Sequence, residues 1–180
     1  MGVTVVGELE TPLELVSDGG VAPVAIDFGS FFSEHYRPVA SALALTIRDP
    51  DLASDAAAEA MARAYQRWDE VSGYSNPAGW VYRVGFNWAC SRRRKVFREI
   101  FSSDSPEREA PPTPDVDPGL AAALAELSIE QRSVVVLRYL LDWSEFQTAA
   151  ALQIAPGTVK SRLSRALDRL ALSLEDPDDS

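Results

Sequence analysis

Apolar positions recur at three- and four-residue spacing through two long stretches of this 180-residue chain, separated by a proline-rich gap. That period puts them on one face of a helix. The first stretch opens at Phe28 and continues through Phe31, Phe32, Tyr36, Val39, Leu43 and Ile47. Pro38 falls inside it and predicts a kink or a delayed start, because its ring clashes with the preceding turn. Asp49-Pro50-Asp51 marks a turn, and Asp51 is placed to cap a second helix from about Leu52 to Trp68. Asp69 to Ser75, with Gly73, reads as a loop. Asn76-Pro77 pairs a capping side chain with a proline at the first helical position, so a third helix should run through Trp80, Val81, Val84 and Trp88 into Arg92–Lys95.

The second stretch begins with an alanine- and leucine-rich helix around Leu120–Leu127. Ser128-Ile-Glu-Gln131 fits a capping box, and a helix through Val135, Val136 and Tyr139 follows. Ser144-Glu-Phe-Gln147 fits the box again and opens a short helix to about Leu152. Gln153-Ile154-Ala155 is a tight connection, after which Pro156 opens a long helix to about Leu174. No internal repeat of solenoid period is present.

Outside these stretches the period disappears. Residues 1–27 contain Gly19-Gly20 and Pro23 and read as a loose leader, with strand-like pairing at Val3–Val6 left open. Pro106, Pro111, Pro112, Pro114 and Pro118, mixed with acids, make residues 101–119 a solvated, partly extended, flexible linker. The expected organisation is all-α, with small helical domains at 28–100 and 120–174 and an acidic tail at 175–180.

Composition at first opposes a polyanionic partner, since the net charge is -10. Its distribution reverses that inference. The leader carries a charge of -5, the linker -4 and the tail -4, which leaves +3 on the two helical stretches. Acidic tails favour solubility or, alternatively, act as an autoinhibitory mimic of DNA. Hydrophobic residues at 46% and charged residues at 24% suit a soluble protein with a core. No apolar run approaches the roughly 20 residues that span a bilayer, so no membrane insertion is expected. The leader has acids where a signal peptide has basic residues, and the single Cys90 supports neither a disulfide framework nor a thiolate metal site. The expected compartment is the cytoplasm.

Candidate chemistry lies in two places. On the last helix Val159, Leu163, Ala166, Leu167, Leu170 and Leu174 form an apolar stripe, while Thr158, Ser161, Arg162, Arg165 and Arg169 lie on the other side with Lys160 alongside. Together with the preceding helix this has helix-turn-helix proportions. Arginine can grip guanine bidentately, and hydroxyls and lysine can hold phosphates. An ordinary amphipathic helix with a solvated basic face shows the same pattern, and these residues alone leave both readings open. The second place is aromatic: Trp68, Tyr74, Trp80, Tyr82, Phe86 and Trp88, flanked by Arg67, Arg83 and Arg92-Arg93-Arg94-Lys95. Unpaired bases stack on such rings for about 1–3 kcal/mol each. The alternative is a helix core with a cationic end. Val84 and Trp88 are expected inside, with Trp80 and Tyr82 as candidates for exposure. His35, the only histidine, reads as a surface side chain and not a base. No P-loop, dinucleotide turn or triad-like set is present, so the sequence implies no enzyme, no cofactor and no metal.

At this point the chain resembles a family: the extracytoplasmic-function (ECF) sigma factors of the sigma-70 superfamily of bacterial RNA polymerase. The first-half resemblance rests on Asp51-Leu-Ala-Ser-Asp55, Glu59-Ala-Met-Ala-Arg-Ala-Tyr65, Asn76-Pro-Ala-Gly-Trp-Val-Tyr-Arg83 and Asn87. The second-half resemblance rests on Leu127-Ser-Ile-Glu-Gln-Arg132, Val136-Leu-Arg-Tyr139, Ser144-Glu145, Thr148-Ala149 and Gly157-Thr-Val-Lys-Ser-Arg162. The resemblance implies a promoter-melting, region 2-like domain of three to four helices at 28–100 and a region 4-like helix-turn-helix domain at 120–174. It implies a role in promoter recognition and transcription initiation. Core RNA polymerase would be met at the β′ clamp through Asp51, Asp55, Glu59 and Arg63, and at the β flap. The −10 element would be captured by Tyr74, Asn76, Trp80, Arg83, Asn87, Arg92 and Arg93, and the −35 element read by Thr158, Lys160, Ser161, Arg162 and Arg165. An anti-sigma factor is a further candidate partner, and catalysis would stay with the polymerase.

The chain departs from the family pattern at Ala58, where glutamine is usual, and at Met61, where an aromatic is usual. Gln147 replaces an acid, and Gln153 stands where the turn usually has glycine, at a cost of about 1 kcal/mol if the residue is left-handed. Two rival readings stand beside the sigma factor: a helix-turn-helix regulator that acts without core polymerase, and a diverged sigma-like protein acting mainly through protein contacts.

Overall fold

A computed structural model describes the main chain of residues 27–100 and 118–175, and the side chains of 27–94 and 119–172. The expectations for residues 1–26, including the Val3–Val6 strand option, and for most of the linker and tail lie outside the described residues. The first half supplies α1 (Phe28–Ile47), α2 (Pro50–Gln66), α3 (Trp68–Val71) and α4 (Pro77–Ile100). The second supplies α5 (Pro118–Ala125), α6 (Ile129–Tyr139), α7 (Glu145–Leu152) and α8 (Pro156–Glu175). Among the described residues there is no strand.

Local capping explains where most of these helices begin. Asp27 caps α1 by accepting the Ser30 N–H at 3.0 Å, and Pro38 sits inside the helix without delaying its start. The cap of α2 is Asp49 and not Asp51: the Asp49 carboxylate accepts the Leu52 N–H at 2.9 Å, and Pro50 takes the first helical turn, where its missing N–H costs nothing. That helix therefore starts earlier than expected and ends at Gln66, short of Trp68. Part of the expected 69–75 loop is the helical turn α3. Asn76 caps α4 through the Gly79 N–H at 2.8 Å, and α4 continues past the arginine run. Both capping boxes form in full, at Ser128/Gln131 and Ser144/Gln147.

The face that α2 buries is nearly all alanine, with Ala53, Ala56, Ala57, Ala60 and Ala64 beside Met61. Such short side chains let α1 and α4 pack close to its backbone. The approach is close at Gly85 of α4, where a β-carbon would lie 2.9 Å from Leu43 Cδ1 and 3.1 Å from the Ala56 carbonyl oxygen. In the second half α6, α7 and α8 close over Val134, Ala149 and Val159, with Ile154 and Leu163 against them. The α7–α8 turn is a Schellman closure: Ile154 N–H donates to the Ala149 oxygen and Gln153 N–H to the Ala150 oxygen, with Gln153 left-handed at φ 55°.

The two halves pack against each other, α1 on α6 and α4 on α7, and share one buried apolar cluster. Arg132 of α6 is buried at this seam. Its guanidinium donates to the main-chain oxygens of Leu124 (2.7 Å), Leu127 (2.7 Å) and Ala125 (3.4 Å), and across the seam to Thr46 (2.9 Å). Burial, with Arg48 and Arg93 nearby, pushes its pKa down to about 10. Tyr82 of α4 is fully buried, which corrects the expectation of exposure. The Tyr82 hydroxyl pairs with Thr46 Oγ1 at 3.0 Å, and its ring meets the Trp143 ring edge-on at 6.0 Å. Burial raises the Tyr82 phenol pKa well above its usual value.

Candidate nucleic-acid interface

The helical period of α8 separates its two faces as the pattern requires. Val159 and Ala166 are buried, Leu163 and Leu170 half-buried, and Leu167 more exposed than a stripe residue should be. Lys160 and Arg165 are exposed, and Thr158, Ser161 and Arg162 half-buried. All five belong to the first three turns. Ser161 donates its hydroxyl back to the Thr158 oxygen at 3.1 Å, which fixes that rotamer. A β-carbon on Gly157 would meet open space, so nothing crowds the start of the helix. Glu130, which the sequence marks only as part of a capping box and a family motif, lies near enough to Arg162 to feel its charge. Its carboxyl is held below the usual range by its own backbone N–H, by Ser128 and by the Arg162 guanidinium. The face thus offers guanidinium forks and an ammonium on a rigid rod.

On α4 the three- and four-residue spacing brings Trp80, Arg83 and Asn87 onto one face, away from buried Val81, Tyr82, Gly85 and Ala89. Trp80 and Arg83 are half-buried and Asn87 exposed. Burial pushes the Arg83 guanidinium pKa below its usual value, opposed by Tyr74. Arg92 and Arg93 are exposed but point elsewhere. Arg92 lies over the Trp88 ring at 5.2 Å, and Arg93 donates to the Ile47 oxygen at 3.3 Å, at the end of α1. The ring of Tyr74 is exposed while its hydroxyl donates to Glu70, whose other oxygen accepts Arg67 Nη2 at 2.7 Å. Tyr74 and then Arg67 hold the Glu70 carboxyl below its usual value. This tie is legible in the sequence only as spacing, Arg67 three residues before Glu70 and Tyr74 four after. Asn76 is half-buried and engaged as the cap of α4.

Asp51, Asp55, Glu59 and Arg63 recur every four residues and form one stripe along α2, with Arg63 and Glu59 paired at 2.9 Å. Elsewhere the chemistry is sparse. No group of His, Cys, Asp and Glu suited to a metal occurs among the described residues. Cys90 is half-buried, and burial pushes its thiol pKa up, so little thiolate is present at neutral pH. His35 is half-buried, not fully at the surface, with its ring 4.7 Å from that of Phe31 and Nε2 3.9 Å from Glu34. No helix among the described residues is long and apolar enough to cross a membrane.

Comparison with known proteins agrees with this geometry. Residues 119–170 match the family model "Sigma-70, region 4". The chain is 36% identical over 170 residues to the ECF RNA polymerase sigma factor SigL of Mycobacterium tuberculosis, covering 88% of this chain and 94% of that protein. It is 35% identical to the RNA polymerase sigma-E factor of Streptomyces avermitilis, covering 82% and 87%. Its fold is similar to that of the sigma factor RpoE in complex with the anti-sigma factor NepR from Bartonella quintana, with a TM-score of 0.74 and 27% identity over 84% of this chain and 98% of that one.

Proposed function

The chain belongs to the ECF RNA polymerase sigma factors, and from that premise we propose how its two halves divide the work of promoter recognition and transcription initiation. The protein binds core RNA polymerase in the cytoplasm and directs it to promoters, while catalysis stays with the polymerase. Residues 120–174 form the unit that reads the −35 element, by inserting the first turns of α8 into a major groove. Arg162 and Arg165 address base edges there, and Thr158, Lys160 and Ser161 the sugar-phosphate backbone. The observation that carries this reading is the basic face of α8, exposed at Lys160 and Arg165 within the residues that match sigma region 4.

Residues 28–100 form the unit that holds the melted −10 element. Trp80, Arg83 and Asn87 present a ring, a cation and an amide on one face of α4, the combination that unpaired bases on a phosphate strand require. Tyr74 and Asn76 extend that surface at the loop, and Arg92 and Arg93 add positive charge further along the helix. The stripe Asp51, Asp55, Glu59 and Arg63 docks on the polymerase clamp. An anti-sigma factor is a candidate partner, since the crystallised relative RpoE is bound to NepR.

Reconstituted transcription with core polymerase over a promoter library tests the assignment. Transcripts starting at a defined subset of promoters, and only when this chain is added, are expected. An inability to associate with core enzyme, with duplex binding retained, would leave a helix-turn-helix regulator in its place.

A further inference from the structure

At the outer side of α1 and α2 an open apolar groove encloses about 330 Å³. Phe28, Phe32, Tyr36 and Tyr65 wall it, and the short side chains of Ala58 and Ala62 leave its floor open. The walls are rings packed on one another, with Phe28 and Tyr65 centroids 5.0 Å apart and Phe32 and Tyr36 stacked at 4.9 Å. Yet they are poorly covered: Tyr65 is 67% exposed and Phe32 39%. Large aromatic side chains so placed, around a concavity, mark a site that something apolar covers.

We propose that the groove seats the chain's own leader, through Leu13 and Leu15. The leader joins the folded part at Asp27, next to the groove wall Phe28. Twelve residues lie between Leu15 and Phe28, enough to reach up to about 40–43 Å when extended. Gly19-Gly20 lies between them and permits the reversal that brings the chain back over α1 and α2. In an extended Leu13-Glu14-Leu15 the two leucines share one side and the carboxylate takes the other, so the apolar side meets the rings while Glu14 stays in water. The tether supplies an effective concentration on the order of millimolar, so a shallow groove suffices. A separate consequence rests on the proposed function. Ala58 and Ala62 flank Glu59 and Arg63 on α2, so a seated leader competes with the polymerase for that helix.

Cysteine trapping in the full-length chain tests the docking. In a Cys90→Ser background, Leu15→Cys is combined with Ala62→Cys, and in a control with Ser164→Cys on the exposed side of α8. Under mild oxidation the groove pair should form an intramolecular disulfide at least tenfold faster than the control, and adding Leu13→Ser should abolish the difference. Equal rates for the two pairs overturn the proposal, as do covalent dimers in place of monomers, which would give the groove to a second copy. The double variant Leu13→Ser, Leu15→Ser should bind core polymerase about fivefold more tightly. Trapping with unchanged polymerase affinity upholds the docking and overturns the competition.

Discussion

Arg132 of α6 donates from Nη1 to the main-chain oxygen of Thr46, 2.9 Å away at the last turn of α1, and so ties the two halves of the chain through a buried side chain. A helix leaves its last four carbonyls without internal partners, and a buried helix end must find donors elsewhere. Here one guanidinium answers that need at α1 and at the α5–α6 junction together.

Removing that donor should be expensive. Arg132→Ala leaves the carbonyls of Leu124, Leu127 and Thr46 unmet, and a loss of about 3–5 kcal/mol is expected from urea titrations followed by circular dichroism. Arg132→Lys keeps the charge but cannot reproduce the fork, and should fall between wild type and the alanine variant. A loss under about 1 kcal/mol for the alanine variant, the level of a single ordinary hydrogen bond, would show that the tie contributes little.

Gly85→Ala tests the closeness of the first-half bundle. The new methyl would lie 2.9 Å from Leu43 Cδ1 and 3.1 Å from the Ala56 oxygen, and the second of these atoms is backbone. Overpacking of this kind costs about 1–3 kcal/mol. The melting temperature should drop, where a helix free of that crowding would gain from the change.

Gln153→Gly should act in the opposite direction. Gln153 adopts the left-handed conformation at φ 55°, which glycine takes up without a steric penalty. A gain of up to about 1 kcal/mol is expected in the same titration. An unchanged midpoint would mean that the Schellman turn is unstrained.

Arg162→Ala with Arg165→Ala should lower −35 discrimination by about 1–3 kcal/mol for each bidentate arginine–guanine pair that disappears, with core polymerase binding kept. Electrophoretic shifts on wild-type and −35-scrambled promoters read the difference. Identical discrimination by wild type and double variant would remove α8 from the recognition role.

Much of this arrangement is legible in sequence because it is local. Asn76-Pro77 and both S-x-x-Q boxes act over three residues, and each helix starts where they say. The start of α2 is harder to read because two aspartates flank Pro50 and either can cap; proline's preference for the first turn selects Asp49. The α8 stripe and the basic residues opposite it follow from the period alone. Tyr82 departs from expectation for a different reason: its burial comes from Thr46 and from Trp143, residues 36 and 61 positions away in the chain, and no spacing rule reaches that far. The same limit hides Arg132, which reads as part of a family motif until its four acceptors are seen together.

Three guanidinium groups gather where α1 ends, Arg132 inside, its proton affinity lowered first by burial and then by Arg48 and Arg93. Added electrolyte screens exposed charges strongly and buried ones much less, and it loosens a grip on a polyanion. On the proposed assignment of α8, dissolved salt would therefore free its outward cations from DNA, while the buried Arg132 tie, shielded from the electrolyte, keeps the halves joined. A buffer that leaves the junction intact is then no guide to the one in which the proposed grip of α8 should be tested.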